Sequence, residues 1–248
     1  MPIRPDTPVQ VLLPVHNEAG SIEATIRELD KTLSQMARVE FVVCEDGSSD
    51  GTREILLRLA GELPLKLVLG DTRKGYSRAV IDGFRVCTAP FVLCLDSDGQ
   101  CDPRDFEAFC SLAPPADVVM GWRVRRQDTR ARRSMSGLFK VIYRVLLGVR
   151  LRDPSCPFIL VSRRALDYLL AIPTLGTLSQ GFWWEFVARL ERGGFSIAEV
   201  PINHRPRAAG RTQVYRLAKL PGIFLVHVWG LVKIRRESPP APRPASRS

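Results

Sequence analysis

Short apolar runs alternate along the chain with stretches in which apolar positions recur every three or four residues. Ile22, Ile26, Leu29 and Leu33 have the spacing of one helical face, and Ser21 precedes them as a candidate N-cap. The short runs are rich in β-forming residues and too brief for buried helices; they cover residues 9–15, 39–44, 65–69 and 91–95. This alternation predicts a largely parallel sheet with helices on both faces.

The second half of the chain is less regular. Its apolar spacing predicts two further strands, at residues 117–121 and 195–202, and three helices, at residues 134–147, 163–171 and 181–192. The last eleven residues hold four prolines and no large apolar side chain, so we expect them to be disordered.

Polar residues follow each of the first four predicted strands. They occupy positions 14–18 (PVHNE), 45–52 (EDGSSDGT), 70–71 (GD) and 96–100 (DSDGQ). Ligands of open parallel sheets bind outside the carboxyl ends of the strands, so these four segments are the first candidates for a site.

Asp96 and Asp98 carry the most specific candidate chemistry. Two carboxylates after a buried strand suit Mg²⁺ or Mn²⁺, which take oxygen ligands and bridge phosphates, and Gln100 would add a carbonyl oxygen. Taken alone, the triplet fits a solvated turn better than a metal site.

The other segments suit the remaining parts of a nucleotide. Carboxylates at Glu18, Glu45 and Asp46 can accept hydrogen bonds from a base or a ribose, although Asp50 or Thr52 fits a helix cap equally well. Basic residues entering a helix opened by a glycine, at positions 73–79 (RKGYSRA), suit phosphate oxygens, and a charged surface turn is the alternative.

The joint order of these segments resembles family 2 glycosyltransferases, and within them the dolichyl- and polyprenyl-phosphate sugar synthases. The resemblance covers roughly residues 9–213. It includes P-x-x-N-E at 14–18, E-D-G-S-S-D-G-T at 45–52, R-K-G-x-x-x-A at 73–79, D-S-D-G-Q at 96–100, G-W-R at 121–123, D-P-S-C-P-F at 153–158 and E-V-P-I at 199–202.

The resemblance implies the GT-A fold, a single Rossmann-like α/β domain with a mostly parallel central sheet flanked by helices. It implies transfer of a hexose, with inversion, from a nucleotide diphosphate sugar to a polyprenyl phosphate with the help of a divalent cation. The implied roles are catalysis by Asp98, Arg123 and Arg207; metal binding by Asp96, Asp98 and Gln100; acceptor phosphate binding by Arg123, Arg132, Ser136 and Arg207; and donor binding by Pro14, Val15, Asn17, Glu18, Glu45, Asp46, Asp71, Lys74, Asp96 and Ser97.

Three positions depart from the family pattern. Glu45 replaces the first aspartate of D-D-G, Pro157 replaces the glycine of S-G-F, and Gln213 replaces a lysine. The last two positions concern the acceptor side, so a hydroxyl acceptor on a sugar or small molecule is the alternative. Such an acceptor requires a carboxylate base, whereas a lipid phosphate is already anionic.

The formal net charge of +10 favours an anionic partner. Six arginines lie within residues 123–133, which suits a solvated face or an anionic membrane surface. Residues 220–232 are uncharged but too short to span a bilayer, so they fit either an interfacial helix or a core helix. A non-catalytic basic protein is a third possibility, but no nucleic-acid-binding motif is present, and we expect no nucleic-acid partner.

The expected organisation has four parts: an extension at 1–8, the GT-A domain at 9–215, an apolar and basic helical segment at 216–236, and a tail at 237–248. The N-terminus lacks an apolar signal region, and the six cysteines show no C-x-x-C spacing. We therefore expect a cytoplasmic protein, peripheral to the membrane. The sequence does not determine its oligomeric state.

Overall fold

The protein is built around a seven-stranded sheet. Its computed structural model describes residues 2–124, 130–206 and 220–237. The side chains of 130–136, 138 and 220–225 also lie outside the description. The strands are β1 (Pro8–Val15), β2 (Arg38–Asp46), β3 (Leu65–Gly70), β4 (Phe91–Cys94), β5 (Val118–Arg123), β6 (Ile159–Ser162) and β7 (Ile197–Ile202). Their spatial order is β3-β2-β1-β4-β6-β5-β7, and β6 runs antiparallel to both of its neighbours while the other pairings are parallel.

Eight described helices flank this sheet. They are α1 (Ile22–Leu33), α2 (Thr52–Leu59), α3 (Tyr76–Val86), α4 (Phe106–Leu112), α5 (Arg130–Leu147), α6 (Arg163–Leu170), α7 (Phe182–Arg192) and α8 (Leu220–Glu237). A 3-10 turn at Pro103–Asp105 leads into α4. No helix within the described ranges is both long and apolar enough to cross a membrane.

The direction of winding reverses at β1. The chain proceeds from β1 outward through β2 to β3, and then returns to place β4 on the other side of β1. Val15 pairs with Glu45 on β2, and Leu12 pairs with Cys94 on β4, so the carboxyl ends of these three strands are neighbours. Such a switch point leaves a crevice at the strand ends, which is where ligands bind in doubly wound folds.

Strand β1, in the middle of the first half of the sheet, is buried on both faces. The side chains of Val11, Leu12 and Leu13 on β1 have no exposed surface, so the strand has a continuous apolar run instead of alternation, as expected for a covered parallel strand. Helix α3 approaches β1 and β2 closely at Gly83. A Cβ built there would lie 2.2 Å from Cδ1 of Leu12 and 2.6 Å from Sγ of Cys44.

The structure confirms the predicted fold class and adds two elements. Strand β6 has four residues and lies between a polar loop and α6, and α4 has seven, so neither is long enough to show a period in the sequence. Ser21 does occupy the N-cap position of α1. Its hydroxyl, however, donates to Oε2 of Glu18 at 2.8 Å and caps no helical N–H.

Helix α8 extends the apolar run predicted at 220–232 to Glu237. Glu237, the first residue of the predicted tail at 237–248, belongs to α8, and the rest of that tail lies outside the described residues. The proposed division of the chain remains a prediction.

We predict that Gly83→Ala destabilises the protein by about 1–3 kcal/mol, because the added methyl group overpacks the contact between α3 and β1. Alanine is more favourable than glycine inside a helix by up to about 1 kcal/mol, so helix propensity alone would predict a more stable variant. The matched control is Gly137→Ala on α5, where a Cβ meets nothing within 4 Å. Urea unfolding should show the control unchanged or stabilised; equal effects at both positions would contradict the packing account.

Candidate active site

Hydrogen bonds join the carboxyl ends of β1, β2 and β4. Nδ1 of His16 lies 2.9 Å from the carbonyl oxygen of Asp46, and the Ser97 hydroxyl donates to the carbonyl oxygen of Pro14 at 3.0 Å. The segments predicted to form a donor site therefore gather at one edge of the sheet. Asp46 and Asp98 flank the same switch point.

The segment after β1 braces the loop after β2. Asn17 adopts a positive φ of 55°, its Oδ1 accepts from the backbone N–H of Ser49 at 2.8 Å, and its own N–H donates to Oγ of Ser48 at 3.0 Å. The backbone N–H of Glu18 donates to Oγ1 of Thr52 at 2.9 Å. These bonds fix the predicted nucleotide-binding loop against the segment after β1.

Glu45 supports this loop from inside. Its side chain has 0% exposure and accepts from both Nε of Arg53 at 3.0 Å and Nη2 of Arg53 at 2.7 Å, and from the backbone N–H of Ser48. Burial raises the pKa of Glu45, but the bonds from Ser48 and Arg53 outweigh it, so the pKa is lowered and the group stays ionised. To contact a nucleotide, Glu45 would have to leave these partners, so the geometry favours a supporting role.

Asp46 joins the end of β2 to the start of α3. Its Oδ1 accepts from the N–H of Lys74 at 2.7 Å, and its Oδ2 accepts from the N–H of Gly75 at 2.8 Å. Gly47 lies so close that a Cβ there would be 2.7 Å from the nitrogen of Arg73, and its φ of 64° also favours glycine. The Lys74 ammonium turns to Asp82 at 2.9 Å, so the basic loop is held by its backbone.

The D-S-D segment follows β4 at the opposite side of β1. Ser97 and Asp98 are buried, and Asp96 is partly exposed. Oδ1 of Asp98 accepts from the N–H of Gln100 at 3.0 Å, which bends the chain so that it turns back at this point. The Gln100 amide donates to the carbonyl oxygen of Arg205 at 3.1 Å, so its Nε2 is engaged with the chain.

Asp96 and Asp98 fit one kind of metal site. Within the described ranges no three His, Cys, Asp or Glu side chains gather as a complete metal-binding group. Two carboxylates are nevertheless the usual protein share for Mg²⁺, which takes its other ligands from substrate phosphates and water. The residues therefore suit a cation that arrives with a diphosphate and is completed by it.

Two aromatic residues, not predicted from the sequence, complete this edge. Oη of Tyr76 donates to Oδ1 of Asp96 at 2.8 Å, and Nε1 of Trp183 donates to Oη of Tyr76 at 2.9 Å. Burial of the hydroxyl, and then the charge of Asp96, raise the pKa of Tyr76 well above its usual range, so the phenol keeps its proton. No sequence signal links residues separated by about a hundred positions.

Arg123, at the end of β5, forms a buried ion pair with Asp153. Its Nε and Nη2 reach the two carboxylate oxygens at 2.7 and 3.0 Å, and Nη2 also donates to Oγ of Ser155 at 2.9 Å. Burial lowers the pKa of the Arg123 guanidinium, but Asp153 outweighs it and raises the pKa. The pair joins two of the predicted family motifs, and a phosphate would have to share Arg123 with Asp153.

The remaining predicted residues are placed less completely. Asp71 lies exposed after β3, while Pro14 and Val15 are buried at the end of β1. Arg207 and the side chains of Arg132 and Ser136 lie outside the described residues, so their predicted roles remain predictions.

The chain before Arg207 is fixed beside the D-S-D segment. Arg205 donates its N–H to the carbonyl oxygen of Gln100 at 2.8 Å, and its guanidinium pairs with Asp102 at 2.8 Å and Glu28 at 2.7 Å. Charge pairing therefore holds this part of the chain at the same edge of the sheet.

The family model described as "Glycosyl transferase family 2" matches residues 10–170, which contain the switch point and all four strand-end segments. The chain belongs to glycosyl transferase family 2. The predicted family is thereby confirmed.

Two of the curated relatives of this family 2 chain are longer than the chain itself. It is 28% identical to glycosyltransferase AglD of Haloferax volcanii over 92% of this chain and 38% of that protein. It is 32% identical to an undecaprenyl-phosphate 4-deoxy-4-formamido-L-arabinose transferase of Pseudomonas syringae, over 66% of this chain and 50% of that protein. The chain thus spans about two fifths to a half of these relatives.

Solved structures confirm the GT-A fold of this family 2 chain. A mannosyltransferase from Pyrobaculum calidifontis, in complex with GDP-Man and Mn²⁺, superposes with a TM-score of 0.60 over 96% of this chain and 76% of that chain, at 18% identity. The mannosyl-3-phosphoglycerate synthase of Rubrobacter xylanophilus gives 0.68 over 98% and 78%, also at 18% identity.

We predict that Arg123→Met lowers the free energy of unfolding by about 3–5 kcal/mol, because it leaves the Asp153 carboxylate buried without its cation. The control is Arg144→Met on the exposed face of α5, where a surface change should stay within about 0.5 kcal/mol. Urea unfolding of both variants measures the difference. If the free energy of unfolding of Arg123→Met equalled that of wild type, the ion pair would not stabilise the fold.

Proposed function

We propose that this chain transfers a hexose, with inversion, from a nucleotide diphosphate sugar to a polyprenyl phosphate. The observation that carries the proposal is the convergence of the D-S-D segment and the E-D-G loop on one switch point in a family 2 chain. The undecaprenyl-phosphate transferase of Pseudomonas syringae supports the acceptor class by its name, and the GDP-Man and Mn²⁺ complex supports the donor class and the cation.

In this proposal the donor lies across the carboxyl ends of β2, β1 and β4. The nucleoside contacts the braced loop at residues 45–49 and the segment at 15–18, while the diphosphate reaches Asp96 and Asp98. These two residues would hold Mg²⁺ or Mn²⁺, which neutralises charge on the leaving diphosphate when bound. The hydrogen bonds of Asn17 and Glu45 hold this loop, and a loop held in this way loses less binding energy to reorganisation.

The negative charge of the acceptor phosphate determines what the protein must supply on the acceptor side. A phosphate oxygen is already a nucleophile, so the protein needs to position it without removing a proton. The arginines predicted for this task are Arg123, Arg132 and Arg207, with Ser136 as a further donor. Arg123 is the only one of the three whose side chain is described, and Asp153 holds its guanidinium in a fixed orientation.

A membrane surface is part of the same proposal, since a polyprenyl phosphate resides in a bilayer. Val141 and Val145 on α5, and Val226 and Trp229 on α8, are exposed, with Val145 at 72% and Trp229 at 67%. Cationic side chains accompany them on the same two helices: Lys140, Arg144, Lys233, Arg235 and Arg236. Apolar side chains with flanking cations suit the headgroup region of an anionic membrane. The predicted cytoplasmic location belongs to this proposal too.

The test offers the purified chain Mn²⁺ and labelled GDP-mannose or UDP-glucose, with either polyprenyl phosphate in vesicles or soluble sugars and 3-phosphoglycerate. We expect label in the lipid fraction. Label only in a soluble product would support the alternative, transfer to a hydroxyl group, and would contradict the lipid proposal.

The same assay tests the D-S-D segment. We predict that Asp98→Asn lowers the transfer rate by about 100-fold or more, because the variant loses a charge needed where the leaving diphosphate becomes more negative. The control is Asp167→Asn on α6, whose side chain is 65% exposed and lies outside the site. Equal rates for Asp98→Asn and wild type would contradict the proposed site.

A further inference from the structure

Tyr76 is the first residue of α3 and touches the D-S-D segment from the side of the helix. The residue is 39% exposed, while its hydroxyl is engaged on two sides, by Asp96 at 2.8 Å and by Trp183 at 2.9 Å. The rings of Tyr76 and Trp183 also meet edge to face with centroids 6.4 Å apart. The hydroxyl oxygen of Tyr76 on α3 therefore links the segment after β4 to helix α7.

The direction of these hydrogen bonds is fixed by the groups themselves. An indole N–H can only donate, and an ionised carboxylate can only accept. The oxygen of Tyr76 therefore accepts from Trp183, and its own proton must point to Asp96. A hydroxyl that accepts one hydrogen bond becomes a better donor for the next, so Trp183 strengthens the bond to Asp96.

The surrounding packing makes this chain of bonds rigid. Trp183 is buried and meets Phe84 of α3 and Phe186 of α7 at 6.5 and 5.2 Å between centroids. Ser77, next to Tyr76, donates its hydroxyl to the carbonyl oxygen of Ser179 at 2.5 Å, which ties the start of α3 to the segment before α7. The Tyr76 hydroxyl thus has little freedom to leave Asp96.

We propose that Tyr76, oriented by Trp183, is a positioning residue that holds the Asp96 carboxylate in the orientation that binds the donor's divalent cation. This inference rests on the proposed function, since it concerns the same site. Asp96 is partly exposed just after β4, and its Oδ1 accepts the Tyr76 hydroxyl. This hydrogen bond favours one orientation of the carboxylate before the cation arrives, so metal binding does not have to pay for the ordering.

The experiment compares Tyr76→Phe with wild type and with the control Tyr168→Phe. The first variant keeps the ring and removes only the hydroxyl. The control makes the same change on α6, where Tyr168 meets Phe195 at 5.0 Å between centroids, outside the site. Mn²⁺ binding is followed by the electron paramagnetic resonance signal of free Mn²⁺, alone and with GDP or UDP, and thermal unfolding is recorded for each variant.

We expect Tyr76→Phe to weaken Mn²⁺ binding by about tenfold, the lower end of the range for outer-sphere partners of metal ligands. The melting temperature should change no more than in Tyr168→Phe. Where transfer is measurable, kcat should fall several-fold with little change in the acceptor KM. A second variant, Trp183→Phe, keeps the Tyr76 hydroxyl but removes its donor and should weaken Mn²⁺ binding by a smaller factor, about threefold.

Mn²⁺ affinity of Tyr76→Phe equal to that of wild type would overturn the inference, as would a wild-type chain that binds no Mn²⁺ with either nucleotide. A loss of thermal stability without a loss of Mn²⁺ affinity would also overturn it, since the role would then be structural. If wild type binds Mn²⁺ but transfers no sugar to lipid, the proposed function fails, and the Mn²⁺ comparison still decides the role of Tyr76.

Discussion

The site depends on one constraint: the carboxyl end of β1 lies between two strands whose ends carry acidic residues. On one side of that end, the His16 ring contacts the carbonyl oxygen of Asp46 on β2. On the other side, the Ser97 hydroxyl, just after β4, donates to the carbonyl oxygen of Pro14 on β1. Backbone groups buried at a strand end need such partners, so satisfying them also fixes the two acidic segments relative to each other. Register contributes as well: Val15 at the end of β1 pairs with Glu45, and β4 ends at Cys94 opposite Leu12, so the D-S-D segment continues beside the last residues of β1.

Many of the charged groups at this edge are held by other parts of the chain. Glu45 binds Arg53, Arg123 binds Asp153, and both oxygens of Asp46 accept backbone N–H groups. Such buried charges are expensive to hold unless they are paired, and here each is paired with a neighbouring segment of chain. These contacts fix the shape of the loop and of the sheet edge. Asp96 is partly exposed and accepts a hydrogen bond from Tyr76.

The sequence was sufficient to predict the strands of the first half and the edge on which the site lies. Strands β1, β2 and β4 are largely covered on both faces, so they appear as continuous apolar runs, and the polar ends of all four strands mark the carboxyl edge directly. The sequence was insufficient for β6, which is too short to show a pattern, and for the ion pairs of Glu45 and Arg123, because motif identity does not show which groups a charged side chain contacts. Tyr76 and Trp183 could not be paired at all, since their contact exists only after α3 and α7 pack together.

The measurement that decides the account is crystallography of the chain with Mn²⁺ and a nucleoside diphosphate, with the anomalous signal of manganese used to locate the ion. The account predicts one ion bound by oxygens of Asp96 and Asp98, bridged to the diphosphate, with the nucleoside extending toward the loop at residues 45–49. A manganese peak away from both carboxylates, or a nucleoside bound outside the crevice between β2 and β4, would contradict it.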